Sequence, residues 1–410
     1  MEGPLDAGQV PMVGLGALEN AERLVIVDLR SPAEYADDHL PGAVNVPLLD
    51  DDDRAVVGTL YHREGREAAF REGRAVVLRR VAELVGRILE VVPDGHGCRD
   101  LTGAAAATGV PSEEELARRV EELTTGGLEA LETELVPYPV SRVPEPGLVL
   151  HCWRGGLRSR SVAALLLSLG LEGVVVLEGG YRSWRRAVRA GLASWPARDQ
   201  GSVPPTGTYV LRGLTGVGKT LVLRELEGLR PGWTVDLEGL AGHRSSLLGM
   251  VGMVPVSQKN FESALWRCLA ARPALPLVLE GESRKVGDVE IPPRPWQALC
   301  GAANILLEAP LERRVEVLME DYLAPATDRD QLGRQLAAVA KRMGDSHGIV
   351  ALWEAGEVQE MVRRLLTDYY DPLYGRGEQG REYLAVVDAT DPVAAAEELV
   401  TLVGVGCPGH

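Results

Sequence analysis

Short apolar runs alternate with amphipathic helical patterns twice along this 410-residue chain. These runs lack the polar alternation of a half-exposed strand, which is typical of strands buried on both faces of a parallel sheet. The candidate strands of the first series are 24–29, 43–48, 147–151 and 174–177, and those of the second are 209–211, 277–280, 304–307 and 384–388. Two separate series of this kind predict an α/β protein with two parallel-sheet modules.

The two series are separated at 194–208 by a segment rich in proline, glycine and serine, which we interpret as a linker. The predicted modules are therefore 1–198 and 206–410. The second module contains a helical segment at about 331–367.

The first module contains a predicted insertion at about 93–146, in which an acidic helical pattern follows stretches rich in Gly, Ala and Pro. Residues 112–134 carry eight Glu against two Arg. This composition predicts a solvated surface insert rather than a further domain.

The formal net charge of −16 restricts the kinds of partner. So acidic a protein does not bind a polyanion through its overall charge, and a nucleic acid would need a local basic patch. Five cysteines without paired spacing predict reduced thiols. Neither an apolar run of membrane-spanning length nor a secretory signal is found, so we expect a cytoplasmic enzyme with no membrane partner.

The segment HCWRGGLRS (151–159) lies between a predicted strand and a predicted helix. Such a loop directs backbone N–H groups and the positive end of the helix dipole at the cysteine sulfur, and two arginines add positive charge. These effects favour the thiolate, while two glycines permit a tight anion-binding loop. By contrast, Cys268 and Cys300 are expected to be buried and unreactive. The predicted catalytic residues are Cys152, Arg154, Gly155, Gly156 and Arg158.

The segment GLTGVGKT (213–220) satisfies the Walker A pattern, and it has the strand before it and the helix after it that this motif requires. Backbone N–H groups would hold a phosphate, the lysine would neutralise it, and the threonine would ligate Mg²⁺. The run at 277–280 has the form of a Walker B strand that ends in an acid. The predicted phosphate-binding residues are Gly213, Gly216, Gly218, Lys219 and Thr220, and the predicted magnesium ligands are Thr220 and Glu280.

Polar groups also follow two strands of the second module, at the strand ends where open α/β sheets bind ligands. A solvated turn is the alternative interpretation for each group. Basic pairs further along the chain, such as Arg313 and Arg314, are predicted to be surface charges on helices. The ligand candidates are Asp236, Glu238, His243, Arg244, Glu280, Glu282, Ser283 and Arg284.

Several stretches of the first module resemble the rhodanese family, with Cys152 where that family keeps its catalytic cysteine. They include DLR (28–30), HLPGA (39–43), NVP (45–47) and LEGGY (177–181). The whole chain resembles bacterial tRNA 2-selenouridine synthases. The shared stretches are PLLDDDDRAVVGTLY (47–61), HCWRGGLRS (151–159), LEGGYRSW (177–184), GLTGVGKT (213–220), VDLEGLAGHRSS (235–246), LEGESRKVG (279–287) and YYDPLY (369–374).

This resemblance implies replacement of sulfur by selenium in wobble-position 2-thiouridine of tRNA, with selenophosphate as donor and its supplying enzyme as a further partner. It also implies an S-geranylated intermediate made from geranyl diphosphate. A Walker A loop suits that diphosphate, and Cys152 would then carry selenium as a Cys–S–Se⁻ species. Candidate tRNA contacts are the arginines near Cys152, unless they merely solvate their helix: Arg154, Arg158, Arg160, Arg182, Arg185, Arg186 and Arg189.

Two other classes of function remain open. The segment 151–159 also fits the His-Cys-x-x-Gly-x-x-Arg-Ser pattern of tyrosine phosphatases, so a Cys-dependent phosphatase, or a thiosulfate sulfurtransferase, with a regulatory P-loop is an alternative. Such a phosphatase needs a mobile general acid, and the nearest match to its Trp-Pro-Asp loop is Trp195-Pro196-Ala197. A non-catalytic nucleotide switch is the third interpretation, and the intact cysteine loop counts against it.

Overall fold

A computed structural model of the chain describes all residues except 1–8, 20, 93–110, 196–206, 244–252, 272–275, 323–328, 345–347, 379 and 405–410. The chain divides into two compact units, Met1–Ala187 and Val188–His410. Each unit contains a parallel sheet with helices, so the predicted α/β fold class is confirmed. Most of the predicted linker lies outside the described residues. Among the helices that are described, none is long and apolar enough to cross a membrane.

The first unit is built on six parallel strands: β1 (Gln9–Val13), β2 (Leu24–Asp28), β3 (Ala43–Asn45), β4 (Val136–Val140), β5 (Gly147–His151) and β6 (Val174–Leu177). Their order in the sheet is β3-β2-β5-β6-β1-β4. All residues of β5 and β6 are buried, as their continuous apolar runs predict. The helices are α1 (Pro32–Asp37), α2 (Asp51–Arg63), α3 (Arg66–Val91), α4 (Glu113–Thr124), α5 (Gly127–Glu134), α6 (Leu157–Ser168) and α7 (Gly180–Ser194), with a 3₁₀ turn at Leu15–Leu18.

Two strands of this sheet, β1 and β4, were absent from the sequence prediction. Both contain proline, which cannot donate a ladder hydrogen bond and therefore weakens the strand pattern. β4 tolerates its two prolines because it is the edge strand. Pro11 of β1 pairs with β4, but the pairing of β1 with β6 is limited to Met12 and Val13.

The prediction of a solvated surface insert at 112–134 is wrong. Helices α4 and α5 place Leu116, Val120 and Leu131 in the main hydrophobic core of the first unit. Only the outer face of α4 is acidic, and two of its glutamates, Glu115 and Glu122, pair with Arg118 and Arg119 along the helix. The number of glutamates reflects only that outer face, whereas the helix packs through its other, apolar face.

The second unit is built on five parallel strands: β7 (Thr208–Arg212), β8 (Thr234–Val235), β9 (Leu277–Glu280), β12 (Ala303–Glu308) and β13 (Ala385–Asp388), together with a hairpin of β10 (Lys285–Val286) and β11 (Val289–Glu290). The sheet order is β13-β12-β7-β9-β8. The helices are α8 (Lys219–Leu229), α9 (Leu237–Ala241), α10 (Gln258–Ala270), α11 (Pro293–Gly301), α12 (Leu311–Tyr322), α13 (Arg329–Arg342), α14 (Ile349–Glu354), α15 (Val358–Arg364), α16 (Asp371–Glu378) and α17 (Pro392–Gly404), with a π-helical turn at Leu365–Tyr370.

The helical part of the second unit has a hydrophobic core of its own. Buried side chains of α12 to α15 and of the π-helical turn pack together, with Leu336, Val362 and Leu366 fully buried at its centre. The sheet has a separate core, to which α8 and α17 contribute. The helical part meets the Walker A loop through α12, because a Cβ atom on Gly216 would lie 2.8 Å from the Arg314 carbonyl oxygen.

Candidate active site

Cys152 follows β5 directly, at the carboxyl edge of the first sheet. The loop that it begins is closed against the start of α7 by two backbone hydrogen bonds. Tyr181 N–H donates to the carbonyl of Cys152 at 2.9 Å, and Arg182 N–H donates to that of Trp153 at 3.0 Å. The loop is therefore held by the connection between β6 and α7 as well as by its own helix, α6.

The two glycines of this loop differ in their backbone conformation and in the space available for a side chain. Gly155 has φ of +62°, and a Cβ atom there would lie 2.3 Å from the carbonyl oxygen of Leu177. Gly156 has φ of −92°, and a Cβ atom there would meet no atom within 4 Å. A tight backbone approach therefore exists only at Gly155.

The Cys152 thiol is 3% exposed, and the groups around it favour the thiolate. Burial by itself raises the pKa of Cys152. The positive charge of Arg158 and hydrogen bonds from the Ser159 hydroxyl and from the backbone N–H groups of Arg154 and Ser159 outweigh burial, so the pKa of this thiol is lowered. Ser159 Oγ lies 3.3 Å from Cys152 Sγ. The side chain of Arg154 is exposed, so only its backbone serves the sulfur.

A buried polar network fixes Tyr181, whose backbone closes the loop. Arg30 is 1% exposed, binds both carboxylate oxygens of Asp28, and donates to the Asp38 carbonyl at 2.7 Å. Its guanidinium carbon lies 3.7 Å from the centre of the Tyr181 ring, and the Tyr181 hydroxyl donates to the Asp38 carboxylate at 2.8 Å. Burial lowers the pKa of His151, against the opposing effect of the Asp28 charge. Asp38 was missed by the sequence analysis because its partner is 143 residues away.

The Walker A segment forms the turn between β7 and α8. Gly213, Gly216 and Gly218 all have positive φ, at +144°, +79° and +91°. A Cβ atom on Gly213 would lie 2.6 Å from the carbonyl oxygen of Leu307, so the loop packs directly on β12. Lys219 is the first residue of α8, and its Nζ lies 3.5 Å from the Gly213 carbonyl oxygen. The loop therefore directs N–H groups and the amino end of α8 at one point.

Three carboxylates from two strand ends meet beside this loop. One oxygen each of Glu238, Glu280 and Glu282 lies within 4.8 Å of the others. Thr220 Oγ1 donates to Glu280 Oε1 at 2.7 Å, and the N–H of Glu238 donates to Glu280 Oε2 at 3.2 Å. Burial, and then the charges of Glu238, Asp236 and Glu282, raise the pKa of Glu280 well above its usual value. Oxygen donors of this kind suit Mg²⁺, which would also relieve the repulsion among them.

A cavity of about 600 Å³ opens over the Walker A loop. Its polar lining includes the phosphate loop with Asp236, Glu238, Glu282 and Ser283. Its apolar lining, which we name the apolar wall, comes from four separated parts of the chain: Met253, Trp296, Leu299, Val317, Leu318 and Leu373. The cavity thus combines a phosphate-binding loop with an apolar wall.

Comparisons with known proteins match each of the two units. A family model described as the tRNA 2-selenouridine synthase AAA domain matches residues 206–397, and the rhodanese-like domain matches residues 15–77. The tRNA 2-selenouridine synthase of Hydrogenovibrio crunogenus is 29% identical and covers 87% of this chain and 91% of its own. That of Chromohalobacter salexigens is also 29% identical, with coverages of 85% and 86%.

The chain is similar over most of its length to tRNA 2-selenouridine synthases, and its second unit matches the AAA domain described for them. A crystal structure of an N-terminal domain from Clostridium difficile 630 covers 43% of the chain at 24% identity and a TM-score of 0.28, a likeness too low to support an argument. The rhodanese match ends at residue 77 and so does not include Cys152. In this chain, α3 to α5 and β4 lie between that stretch and β5.

Some of the predicted ligand candidates do not reach the cavity. The ring of His243 packs against Gly287, and Arg284 is 54% exposed and lies 3.7 Å from Glu290. Neither residue lines the cavity, and Arg244 lies outside the described residues. Cys300 was expected to be buried but is exposed and lines the cavity, because it lies near the end of the short helix α11.

Arg314 is the main residue of this site that the sequence analysis misjudged. It was predicted to be a surface charge, yet it is 5% exposed. Its Nε donates to the Thr215 carbonyl of the Walker A loop at 2.9 Å, and both terminal nitrogens donate to the Asp371 carboxylate at 2.5 and 3.0 Å. Arg314 therefore joins the phosphate loop to the YYDPLY stretch, 57 residues further along the chain.

Proposed function

We propose that this protein replaces sulfur by selenium in the wobble-position 2-thiouridine of tRNA, through an S-geranylated intermediate. The observation that carries the proposal is that one chain holds two complementary sites. One is a cysteine with a lowered pKa in an anion-accepting loop, and the other is a phosphate loop beside an apolar wall. Relatives that align over most of the chain are named tRNA 2-selenouridine synthase, which supports the same assignment.

The cavity of the second unit suits geranyl diphosphate. Its phosphate loop would hold the diphosphate, Lys219 would neutralise it, and the apolar wall would take the isoprenoid chain. In this step the thiocarbonyl sulfur attacks C1 of the geranyl group, the C–O bond breaks, and diphosphate leaves with the electron pair. The resulting S-geranyl group is a far better leaving group than the original sulfur.

Magnesium is the proposed cation of this cavity. The Thr220 hydroxyl and the carboxylates of Glu238, Glu280 and Glu282 form an all-oxygen donor set. Mg²⁺ held there would balance charge on the diphosphate. The buried Glu280 would anchor it, and Glu280 is already oriented by its hydrogen bond with Thr220.

The Cys152 site is the proposed acceptor of selenophosphate. The Arg158 charge and the N–H groups of the loop would bind this small anion next to the thiolate. Selenium then adds to C2 of the base, and geranyl thiol leaves. An enzyme that makes selenophosphate is the partner that this scheme requires.

The tRNA partner requires a basic surface on this acidic protein, and the structure sorts the arginine candidates. Arg160 donates to the Leu135 carbonyl at 2.7 Å, and Arg185 lies 3.8 Å from Asp38, so these two are engaged internally. Three others in the first unit are exposed and have no ion-pair partner among the described residues, and Arg189, just beyond that unit, is exposed as well. We name these the arginine rim: Arg154, Arg182 and Arg186.

The arginine rim predicts a specific salt dependence of tRNA binding. Replacing all three arginines by alanine should weaken binding and reduce the slope of log K against log salt by about 0.7 for each lost phosphate contact. Filter binding across a salt series measures both. The matched control is a triple alanine variant of exposed arginines on α2 and α3, Arg63, Arg71 and Arg79. Equal slopes in both triple variants would remove the rim from the proposal.

The division of labour between the two sites gives the main test. We expect Lys219→Ala to block geranylation, whereas Cys152→Ala should still geranylate but form no 2-selenouridine. Nucleosides from thiolated tRNA incubated with geranyl diphosphate and selenophosphate are identified by mass spectrometry, with Cys268→Ala as the control. Loss of both steps in both variants would contradict the division. Unchanged tRNA with the folded wild-type protein would contradict the function and favour aryl phosphate or thiosulfate as substrates.

A further inference from the structure

The selenium exchange proposed above is redox-neutral, and this limits what Cys152 does. Selenium enters C2 as selenide and sulfur leaves as a thiol, in the same oxidation state. A Cys–S–Se⁻ intermediate does not fit this balance. Its formation from selenophosphate would leave phosphorus at the phosphite level, and its transfer to C2 would require a reductant to cleave the S–Se bond. Neither an oxidant nor a reductant belongs to the proposed reaction.

The groups around Cys152 are those that stabilise a phosphoryl group in transfer. Five residues separate Cys152 from Arg158, and the backbone N–H groups of Arg154 and Ser159 donate to the sulfur. The loop ends at the amino terminus of α6, a twelve-residue helix. A thiolate, converging N–H donors and an arginine are suited to the charge spread over three phosphoryl oxygens.

We propose that Cys152 attacks the phosphorus atom of selenophosphate rather than its selenium. The S–P bond forms as the P–Se bond breaks, and the electron pair leaves with selenium as hydroselenide, with a proton from solvent. Water then hydrolyses the phosphocysteine to phosphate and regenerates the thiolate. The sum is selenophosphate plus water giving hydroselenide plus phosphate, which balances without any redox partner. This inference rests on the proposed function because it takes selenophosphate as the substrate.

The leaving group of this step does not require a general acid. Phosphatases with a cysteine nucleophile protonate an alkoxide or phenoxide as it leaves. Hydrogen selenide is a much stronger acid than an alcohol or a phenol, so selenide needs no such help. Within the described residues, the hydrogen-bond partners of Cys152 Sγ are the Ser159 hydroxyl and two backbone N–H groups, and none is a carboxylate.

Ser159 provides a way to trap the intermediate. Its hydroxyl lies 3.3 Å from Sγ and 3.1 Å from the Gly156 carbonyl oxygen. It can turn from that carbonyl to donate to the thiolate that reappears when phosphocysteine is hydrolysed. Removing this donor should slow hydrolysis more than formation. We expect Ser159→Ala to accumulate the adduct about tenfold over wild type, the effect of one hydrogen bond to a charged group.

The experiment is mass spectrometry of the quenched full-length protein after mixing with selenophosphate, followed by mapping of the peptide that contains Cys152. A phosphoryl adduct on Cys152 that increases in Ser159→Ala and is missing in Cys152→Ser supports the proposal. Selenium on Cys152, or 2-selenouridine formed by Ser159→Ala with no phosphoryl adduct, overturns it. The second probe is dinitrophenyl phosphate, whose good leaving group should give the same adduct without selenium.

The two proposals fail separately. A phosphoryl adduct without any selenouridine would contradict the proposed function but support this chemistry. Selenouridine formed through a selenium adduct on Cys152 would support the proposed function and contradict this chemistry. Because Cys152→Ser could lose its fold, its circular dichroism spectrum is compared with that of wild type, and Ser159→Ala supplies the independent variant.

Discussion

The cysteine site and the phosphate cavity are assembled in opposite ways. The groups that act on Cys152 all come from residues 152–159, and neighbouring backbone holds that short loop closed. The cavity over the Walker A loop draws its apolar wall from residues as distant as Met253 and Leu373. The thiol is 3% exposed, whereas Leu373 on the cavity wall is 55% exposed. A contiguous site is rigid and small, while a dispersed one is open and shaped by packing.

This difference corresponds to the two proposed ligands. Selenophosphate is a small anion that a single loop can surround. Geranyl diphosphate has a charged end and a long apolar end, so it requires both a loop and a wall from other elements. We therefore expect substitutions in the cysteine loop to act through geometry and charge, and substitutions on the cavity wall to act through contact area.

The largest expected effect comes from the closest backbone approach in the cysteine loop. Gly155→Ala should destabilise the protein by about 2 kcal/mol or more, because positive φ and a clash with the Leu177 carbonyl are imposed together. Gly156→Ala is the matched control and should cost less than about 1 kcal/mol. Denaturant unfolding measures both, and equal costs would show that the loop is not held as rigidly as described.

An intermediate effect is expected for the charge that acts on the thiolate. Arg158 lowers the pKa of Cys152, so Arg158→Ala should raise that pKa and shift thiolate formation to higher pH. Thiolate absorbance, taken as the difference from Cys152→Ser, follows the titration. Arg154→Ala is the control, because the backbone N–H that serves the sulfur is retained. A larger shift in the control would reverse the assigned roles.

The smallest effect is expected on the cavity wall. Leu373→Ala should weaken geranyl diphosphate binding about fivefold, because roughly 1 kcal/mol of apolar contact is lost. Binding of inorganic diphosphate should be unchanged. Leu384→Ala is a control of matched exposure, 56% against 55%, that does not line the cavity. Calorimetry measures both ligands. Weaker binding of inorganic diphosphate would place Leu373 near the loop rather than along the chain of the ligand.

Much of the fold could be predicted because its strands are continuous apolar runs. β5, β6 and β9 have the predicted bounds, since strands buried on both faces carry a local signal. β1 and β4 are interrupted by prolines and so lack a continuous apolar run. The acidic helix α4 was misjudged for a related reason, because its composition is polar while its periodicity buries Leu116 and Val120.

The sequence by itself determined the two loops, since each holds its chemistry within nine consecutive residues between a strand and a helix. Only the tertiary structure decided which distant side chains complete them. Asp38 reaches Tyr181 across 143 residues, and Arg314 is buried against Thr215 and Asp371. An arginine that satisfies buried carbonyl and carboxylate groups has the same local pattern as one in solvent. Its partners are chosen by how the helices pack on the sheet, and no spacing in the sequence records that choice.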